Sequence, residues 1–142
     1  MAQADIQKTV EIDRTKLFTV ITKYEDYPKF VDGCTRVEVE LKGPGHARVT
    51  YHVSMMKDVS YTLDHVEDAA TGKVEWKLVK SDSLKGNTGR WMLKDAGKGK
   101  TEVNYEIDID FSFPVPGFIL SKLVKGSLPS MIESFVKQAK KV

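Results

Sequence analysis

Residues 101–113, TEVNYEIDIDFSF, give the clearest indication of how this chain folds. Their apolar members occupy every second position from Val103 to Phe113, with polar residues between them. Because side chains alternate between the two faces of a strand, this pattern predicts a long strand with one buried face. The segment Pro114-Val115-Pro116-Gly117 then ends the strand.

A helical pattern begins directly after this stop. Apolar residues recur at spacings of three and four, which predicts a long amphipathic helix. They are Leu120, Leu123, Val124, Leu128, Met131, Ile132, Phe135 and Ala139. Gly126 and Pro129 fall inside the pattern, and proline removes a helical hydrogen bond. We therefore expect the helix to bend or to start a second segment near residues 126–129.

The preceding part of the chain reads as one strand, two short helices and a run of strands. Alternation over residues 6–12 predicts the first strand, and Asp13 can cap a helix over residues 14–24. Tyr27-Pro28 predicts the start of a second short helix. Alternating segments with regular turns then continue to residue 93; one has Val37, Val39 and Leu41 as its apolar set. In the hairpin around Lys57-Asp58 we pair Met55 with Val59, so that Tyr51 faces Leu63 and Val49 faces His65.

These elements predict an α+β helix-grip fold. A curved antiparallel sheet of about seven strands wraps around the long C-terminal helix, with two short helices after the first strand. The length of 142 residues predicts a single domain over residues 1–142. Such an arrangement can enclose an apolar cavity between the sheet and the helix.

Charge is modest overall and concentrated at one end. The net charge of +2 gives no indication of specific DNA binding. Residues 117–142 contain five lysines and one glutamate, a net charge of +4. Such lysines usually complement the helix dipole and keep the surface solvated. A peripheral contact of this helix with a membrane or with the ribosome is the alternative.

Features of the sequence also predict its compartment. Cys34 is the single cysteine, so an internal disulfide is impossible and a reducing compartment is favoured. The first residues lack the apolar core of a signal peptide. We expect a cytoplasmic protein.

Four local motifs occur in a characteristic order. They are Tyr27-Pro28-Lys29-Phe30, Cys34 before the second strand, Lys85-Gly86 ahead of Trp91, and Phe113-Pro114 before the last helix. With the order of elements, they resemble the START-like superfamily over nearly the whole chain. That group includes polyketide cyclase/dehydrase proteins, coenzyme Q-binding START-domain proteins and related ribosome-association toxins. The coenzyme Q-binding subgroup tends to have Pro-Trp-Cys where this chain has Asp32-Gly33-Cys34. The resemblance implies an apolar ligand, and many members are not enzymes.

Aromatic residues carry the functional prediction. Five of them fall on the apolar side of their strands, where buried hydroxyl and indole N–H groups need partners. This favours a ligand cavity with a few polar groups over a solid core. The predicted ligand-binding wall is Tyr51, Tyr61, His65, Trp76, Trp91 and Tyr105, with Leu120, Leu123 and Val124 opposite on the helix. Gly89 shares the alternation of Trp91, so we expect cavity space beside it, where a larger side chain would be tolerated and would block binding.

The remaining reactive residues give no pattern of a catalytic centre. His65 lies on the apolar side of its strand and His52 on the other side, so we predict no metal site, and no cofactor is expected. No base lies near Cys34 in sequence, which predicts a half-buried residue at a loop–strand junction. Inner-face acid/base candidates are limited to His65 and the tyrosines, whereas Arg90 and the acids fall mostly outside.

The preferred function is therefore the binding or transport of a hydrophobic small molecule, such as a lipid, a quinone or a polyketide-like compound. The alternatives are a polyketide aromatase/cyclase-type enzyme and a ribosome-associated interaction protein.

Overall fold

Seven antiparallel strands form one curved sheet, in a computed structural model that describes residues 2–54 and 57–141. The order across the sheet is β1-β7-β6-β5-β4-β3-β2. The strands are β1 Ala2–Val10, β2 Cys34–Gly43, β3 His46–Ser54, β4 Asp58–Asp68, β5 Lys73–Ser81, β6 Leu84–Asp95 and β7 Thr101–Phe111. The long strand predicted at residues 101–113 is β7, which pairs with both β1 and β6.

Two short helices connect β1 to β2. Helix α1 spans Arg14–Ile21, and the Asp13 carboxylate accepts hydrogen bonds from the backbone N–H groups of Thr15 and Lys16. This cap satisfies donors that the first helical turn leaves free. A 3₁₀ helix follows at Tyr24–Lys29, with Pro28 inside it.

The C-terminal helix has three consecutive parts. Helix α2 spans Gly117–Lys122, a π-helical segment spans Leu123–Ser127, and α3 spans Leu128–Lys140. Gly126 lies in the π segment, and Pro129 follows it in the first turn of α3. The interruption predicted near residues 126–129 is confirmed.

The sheet grips the C-terminal helix through one large apolar cluster. Leu128, Ile132, Phe135, Val136 and Ala139 are all buried on the sheet side of α3. The Phe135 ring makes edge contacts with Tyr27, Phe30 and Trp91, at centroid distances of 5.1, 5.1 and 5.2 Å. The helix-grip prediction is confirmed.

Two details of the predicted strands are wrong. A bulge in β2 between Val39 and Leu41 places Leu41 opposite Arg48 on the outer face, where its side chain is exposed. A bulge adds one residue and so reverses the side-chain alternation beyond it.

In the hairpin that follows, Val53 pairs with Val59, Tyr51 with Tyr61 and Ala47 with His65. The predicted register is therefore displaced by two residues, and Met55 lies outside the described residues. A displacement of two preserves the faces, so His65 remains on the inner face and His52 on the outer face.

The part of the chain that the structure describes contains no helix long and apolar enough to span a membrane.

Candidate functional site

A cavity of about 520 Å³ lies between the inner face of the sheet and the C-terminal helix. The sheet contributes its side chains because every second residue of β3 to β7 points toward the helix. The C-terminal helix contributes residues from the end of α2, the π segment and the first two turns of α3, from Lys122 to Phe135. The resulting cavity has an aromatic sheet wall and a mixed aliphatic and hydroxyl-bearing helix wall.

The structure brings together seven of the nine residues predicted for the site. The six sheet residues Tyr51, Tyr61, His65, Trp76, Trp91 and Tyr105 all line the cavity, and Leu123 lies on the opposite wall. Leu120 instead packs in a second cluster with Val59, Leu84 and Phe111. Val124 is not among the described residues that line the cavity. Leu120 and Val124 were predicted to line the cavity from a regular helical spacing of three and four, and the wider turn of the π segment interrupts that spacing.

Several lining residues were absent from the sequence prediction. Tyr27 and Phe135 close one side of the cavity, and Asn87 lies on the sheet wall. Asn87 shares the side-chain alternation of Gly89 and Trp91, so its polarity on an inner face was a usable signal. Tyr27 reaches the cavity from the 3₁₀ helix, whose packing the sequence does not reveal.

Hydrogen bonds order the polar groups of the wall. The Tyr51 hydroxyl and His65 Nε2 are 2.8 Å apart, and Trp76 Nε1 donates to Asn87 Oδ1 at 3.0 Å. The Tyr27 hydroxyl donates to the backbone carbonyl of Ile21. These bonds pair groups that would be costly to bury alone.

Burial keeps the ionisable groups of the wall neutral. The pKa of His65 falls from 6.5 to about 3, chiefly through burial and then through the positive charge of Lys42. Burial raises the pKa of the Cys34 thiol to about 11 and those of Tyr51, Tyr61 and Tyr105 above their ordinary value. At neutral pH the sheet wall therefore presents an uncharged imidazole, phenols and a thiol.

The described residues show no cluster of three or more His, Cys, Asp or Glu side chains that could hold a metal ion. His52 lies on the outer face of the sheet, where it contacts Glu38 at 2.8 Å, whereas His65 lies on the inner face. Cys34 lies at the first position of β2, which confirms its placement at a loop–strand junction, but it is buried rather than half-buried.

Gly89 has a different role from the one that the alternation along its strand suggests. We expected the space beside it to be cavity, so that added bulk would be tolerated, and this expectation is wrong. A Cβ atom on Gly89 would collide with the Glu106 carbonyl oxygen and the Trp76 indole, whose Cε2 lies 2.8 Å from that position. The missing side chain lets the Trp76 ring lie against Gly89 and reach Asn87 on the same strand.

Comparison with known structures supports this architecture. A START superfamily protein from Mycobacterium smegmatis has a TM-score of 0.85 at 14% identity, covering 99% of each chain. Zhui aromatase/cyclase from Streptomyces sp. R1128 has a TM-score of 0.84 at 14% identity, covering 98% of this chain and 93% of that chain. The di-domain ARO/CYC BexL from the BE-7585A biosynthetic pathway has a TM-score of 0.72 at 12% identity, covering 99% of this chain and 47% of that chain. At such identities the similarity shows a shared fold.

No match was found among curated proteins. The family model described as polyketide cyclase/dehydrase and lipid transport matches residues 10–136, which is most of the chain. The seven-stranded sheet, the gripped C-terminal helix and the matched residues agree, and the chain belongs to the polyketide cyclase/dehydrase and lipid transport family.

Proposed function

We propose that this protein binds or transports a hydrophobic small molecule, of lipid, quinone or polyketide-like chemistry, in the cavity between the sheet and the C-terminal helix. The observation that carries the proposal is the cavity of about 520 Å³ with its aromatic sheet wall. Its size lies in the range of small-molecule sites, roughly 300–1,000 Å³. Removing apolar ligand surface from water supplies roughly 25 cal/mol per Å².

The chemistry of the wall favours binding over catalysis. General acid–base catalysis is most effective when the pKa of the catalytic group lies near the operating pH. The pKa of His65 is far below neutrality and that of Cys34 far above it. Among the described lining residues, Asp32 is the only carboxylate, and it follows the 3₁₀ helix rather than lying on the sheet wall.

An aromatase/cyclase-type enzyme is the second candidate. The 2.8 Å pair of Tyr51 and His65 favours it, because a phenol and an imidazole in contact can exchange a proton. Such an enzyme would lose turnover in Tyr51→Phe while retaining ligand affinity. A binding protein has no turnover to lose.

A peripheral contact of the C-terminal helix is a further part of the proposal. Phe118 is 74% exposed on α2, and the exposed Lys122 follows it by one helical turn. An exposed aromatic ring beside a lysine suits an anionic membrane surface better than the phosphate backbone of the ribosome, since the ring can enter the interface. Cytoplasmic location is likewise proposed, on the single free cysteine.

Native mass spectrometry of freshly purified protein tests the main proposal. We expect an adduct with the mass of a small apolar molecule, which is released on denaturation and then identified. Titration with quinones and fatty acids should also change the fluorescence of Trp76 and Trp91, because ligand replaces water beside the indoles. Absence of both an adduct and a fluorescence response would refute binding.

A matched pair of glycine variants ties any binding to this cavity. Gly126 lines the cavity, and a Cβ atom there meets nothing within 4 Å, so Gly126→Phe adds bulk without a collision. Gly117 is equally open but is not among the described lining residues. We expect Gly126→Phe to weaken binding and Gly117→Phe to leave affinity unchanged. Equal affinities in the two variants would place the ligand elsewhere.

A further inference from the structure

The bond between Trp76 and Asn87 fixes the orientation of a buried amide. An indole N–H can only donate, so the amide atom 3.0 Å from Trp76 Nε1 must be the acceptor Oδ1. Asn87 Nδ2 therefore points away from the indole. The Asn87 side chain is 3% exposed and lines the cavity, so its free N–H groups lie at the cavity wall.

Asn87 Nδ2 makes no hydrogen bond within residues 2–54 and 57–141, and neither does the hydroxyl of Tyr105. Neither atom is among the fully buried unpaired atoms of these residues, so both can be reached from the cavity. Tyr105 is 4% exposed and also lines the cavity, and its ring lies 5.7 Å from that of Trp76. We call Asn87 and Tyr105 the donor pair. Their unpaired groups contrast with the Tyr27 hydroxyl, which is bound to the Ile21 carbonyl.

Covering these donors with apolar ligand surface, without giving them a partner, is unfavourable, so an occupant of the cavity should supply an acceptor. Asn87 Nδ2 cannot accept a hydrogen bond, and this excludes an occupant that offers only donors there. No charged side chain of the described lining set lies on the sheet wall, since Asp32 and Lys122 are outside the strands. A neutral acceptor therefore matches this wall better than a carboxylate.

We infer that the donor pair binds the carbonyl oxygen of a conjugated ring ligand, of quinone or aromatic ketone chemistry, and discriminates it from the corresponding hydrocarbon. The inference rests on the proposed function and makes it specific. The Trp76 indole holds the Asn87 amide in its donating orientation, and Gly89 gives the indole room to do so. The stacked rings of Tyr51 and Tyr61, 5.4 Å apart, add a flat apolar surface beside the donor pair.

Equilibrium dialysis with a matched pair of ligands tests the inference. The probes are 2,3-dimethyl-1,4-naphthoquinone and 2,3-dimethylnaphthalene, which differ in their two carbonyl groups. The methyl groups block addition of the Cys34 thiol to the quinone. Dodecanoic acid is the third probe and represents an apolar chain with a charged end.

Two variants remove the donors separately. Asn87→Leu removes the amide, and Tyr105→Phe removes only a hydroxyl, so it tests the inference even if Asn87→Leu fails to fold. We expect each to weaken quinone binding by about 3- to 10-fold, the usual value of one neutral hydrogen bond, and to leave the hydrocarbon affinity within about twofold. Tyr27→Phe is the control, because it removes a hydroxyl that the protein itself already satisfies. It should leave the ratio of quinone to hydrocarbon affinity unchanged.

The outcomes separate this inference from the proposed function. Quinone affinity unchanged in Tyr105→Phe, or lowered equally for quinone and hydrocarbon, would overturn the donor pair while leaving a hydrophobic binding site intact. If the two variants weaken the binding of dodecanoic acid as strongly as that of the quinone, the donor pair would also be overturned. Failure of all three probes to bind the wild-type protein would count against the proposed function itself.

Discussion

Lowering the pH from 7 to 5 should destabilise this protein through His65. The imidazole is 4% exposed and stacks on Tyr24 at a centroid distance of 4.4 Å. Burial, followed by the charge of Lys42, lowers its pKa from 6.5 to about 3. The nearby Asp64 opposes this shift without cancelling it.

The sign of the effect follows from proton uptake. Below pH 6.5 the unfolded chain protonates this histidine, whereas the folded protein keeps it neutral until the pH approaches 3. The unfolded state therefore binds more protons between these values, and stability falls as the pH falls. Each pH unit well below 6.5 costs about 1.4 kcal/mol, so roughly 2 kcal/mol of unfolding free energy should be lost at pH 5.

Other groups contribute outside this window. Salt bridges and hydrogen bonds lower the pKa values of Asp26, Glu38 and Asp64 below their ordinary values of 3.8, 4.5 and 3.8. Their stabilisation is lost mainly below pH 5. The change in stability between pH 7 and 5 therefore reports the titration of His65 rather than that of these carboxylates.

Urea denaturation at pH 7, 6 and 5, followed by tryptophan fluorescence, measures the effect. His65→Gln keeps a polar nitrogen for the Tyr51 hydroxyl but cannot titrate. Between pH 7 and 5, the unfolding free energy of this variant should fall by about 2 kcal/mol less than that of the wild-type protein. Parallel profiles for wild type and His65→Gln would refute the reasoning.

Three further predictions concern the core and the thiol. Phe135→Ala should lower the unfolding free energy in urea by about 3–5 kcal/mol, because the ring is 1% exposed; an unchanged midpoint would contradict its place in the core. Gly89→Ala should cost about 2–4 kcal/mol in the same assay by displacing Trp76, whereas Gly86→Ala, whose Cβ atom would meet only Asp110 at 3.7 Å, should be nearly neutral. A similar loss in both glycine variants would show that Gly89 is not a special contact. Alkylation of Cys34 by iodoacetamide at pH 8 should be slow in the native protein and fast in urea, because the thiol pKa is raised to about 11; rapid native labelling followed by mass spectrometry would disprove this.

Periodicity predicted the architecture because it reports which face of each element is buried. The alternation in β7 and the helical spacing after residue 117 identified the sheet and the gripping helix. The same alternation placed the six sheet residues of the predicted site on one inner face. It failed at Leu41, where a bulge reverses the faces without leaving a clear signal in the sequence.

The helix side of the site was predicted less well. Leu123 lies on the cavity, whereas Leu120 packs in the second cluster and Val124 does not line the cavity. A regular repeat assumes a constant 100° per residue, and the π segment at Leu123–Ser127 departs from it. Gly126 and Pro129 indicated that an interruption would occur, but they could not specify its geometry.

The order of elements, the inner face of most strands and the aromatic character of the wall could all be predicted from the amino-acid sequence, because they depend on local spacing and residue type. Which polar groups of that wall have hydrogen-bond partners became clear only in the folded arrangement. Gly89 appeared as open space in sequence, whereas in the fold it is the close approach that lets Trp76 bind Asn87. Hydrogen bonding and steric contact between strands depend on atoms brought together across the sheet, and spacing along one strand carries no record of them.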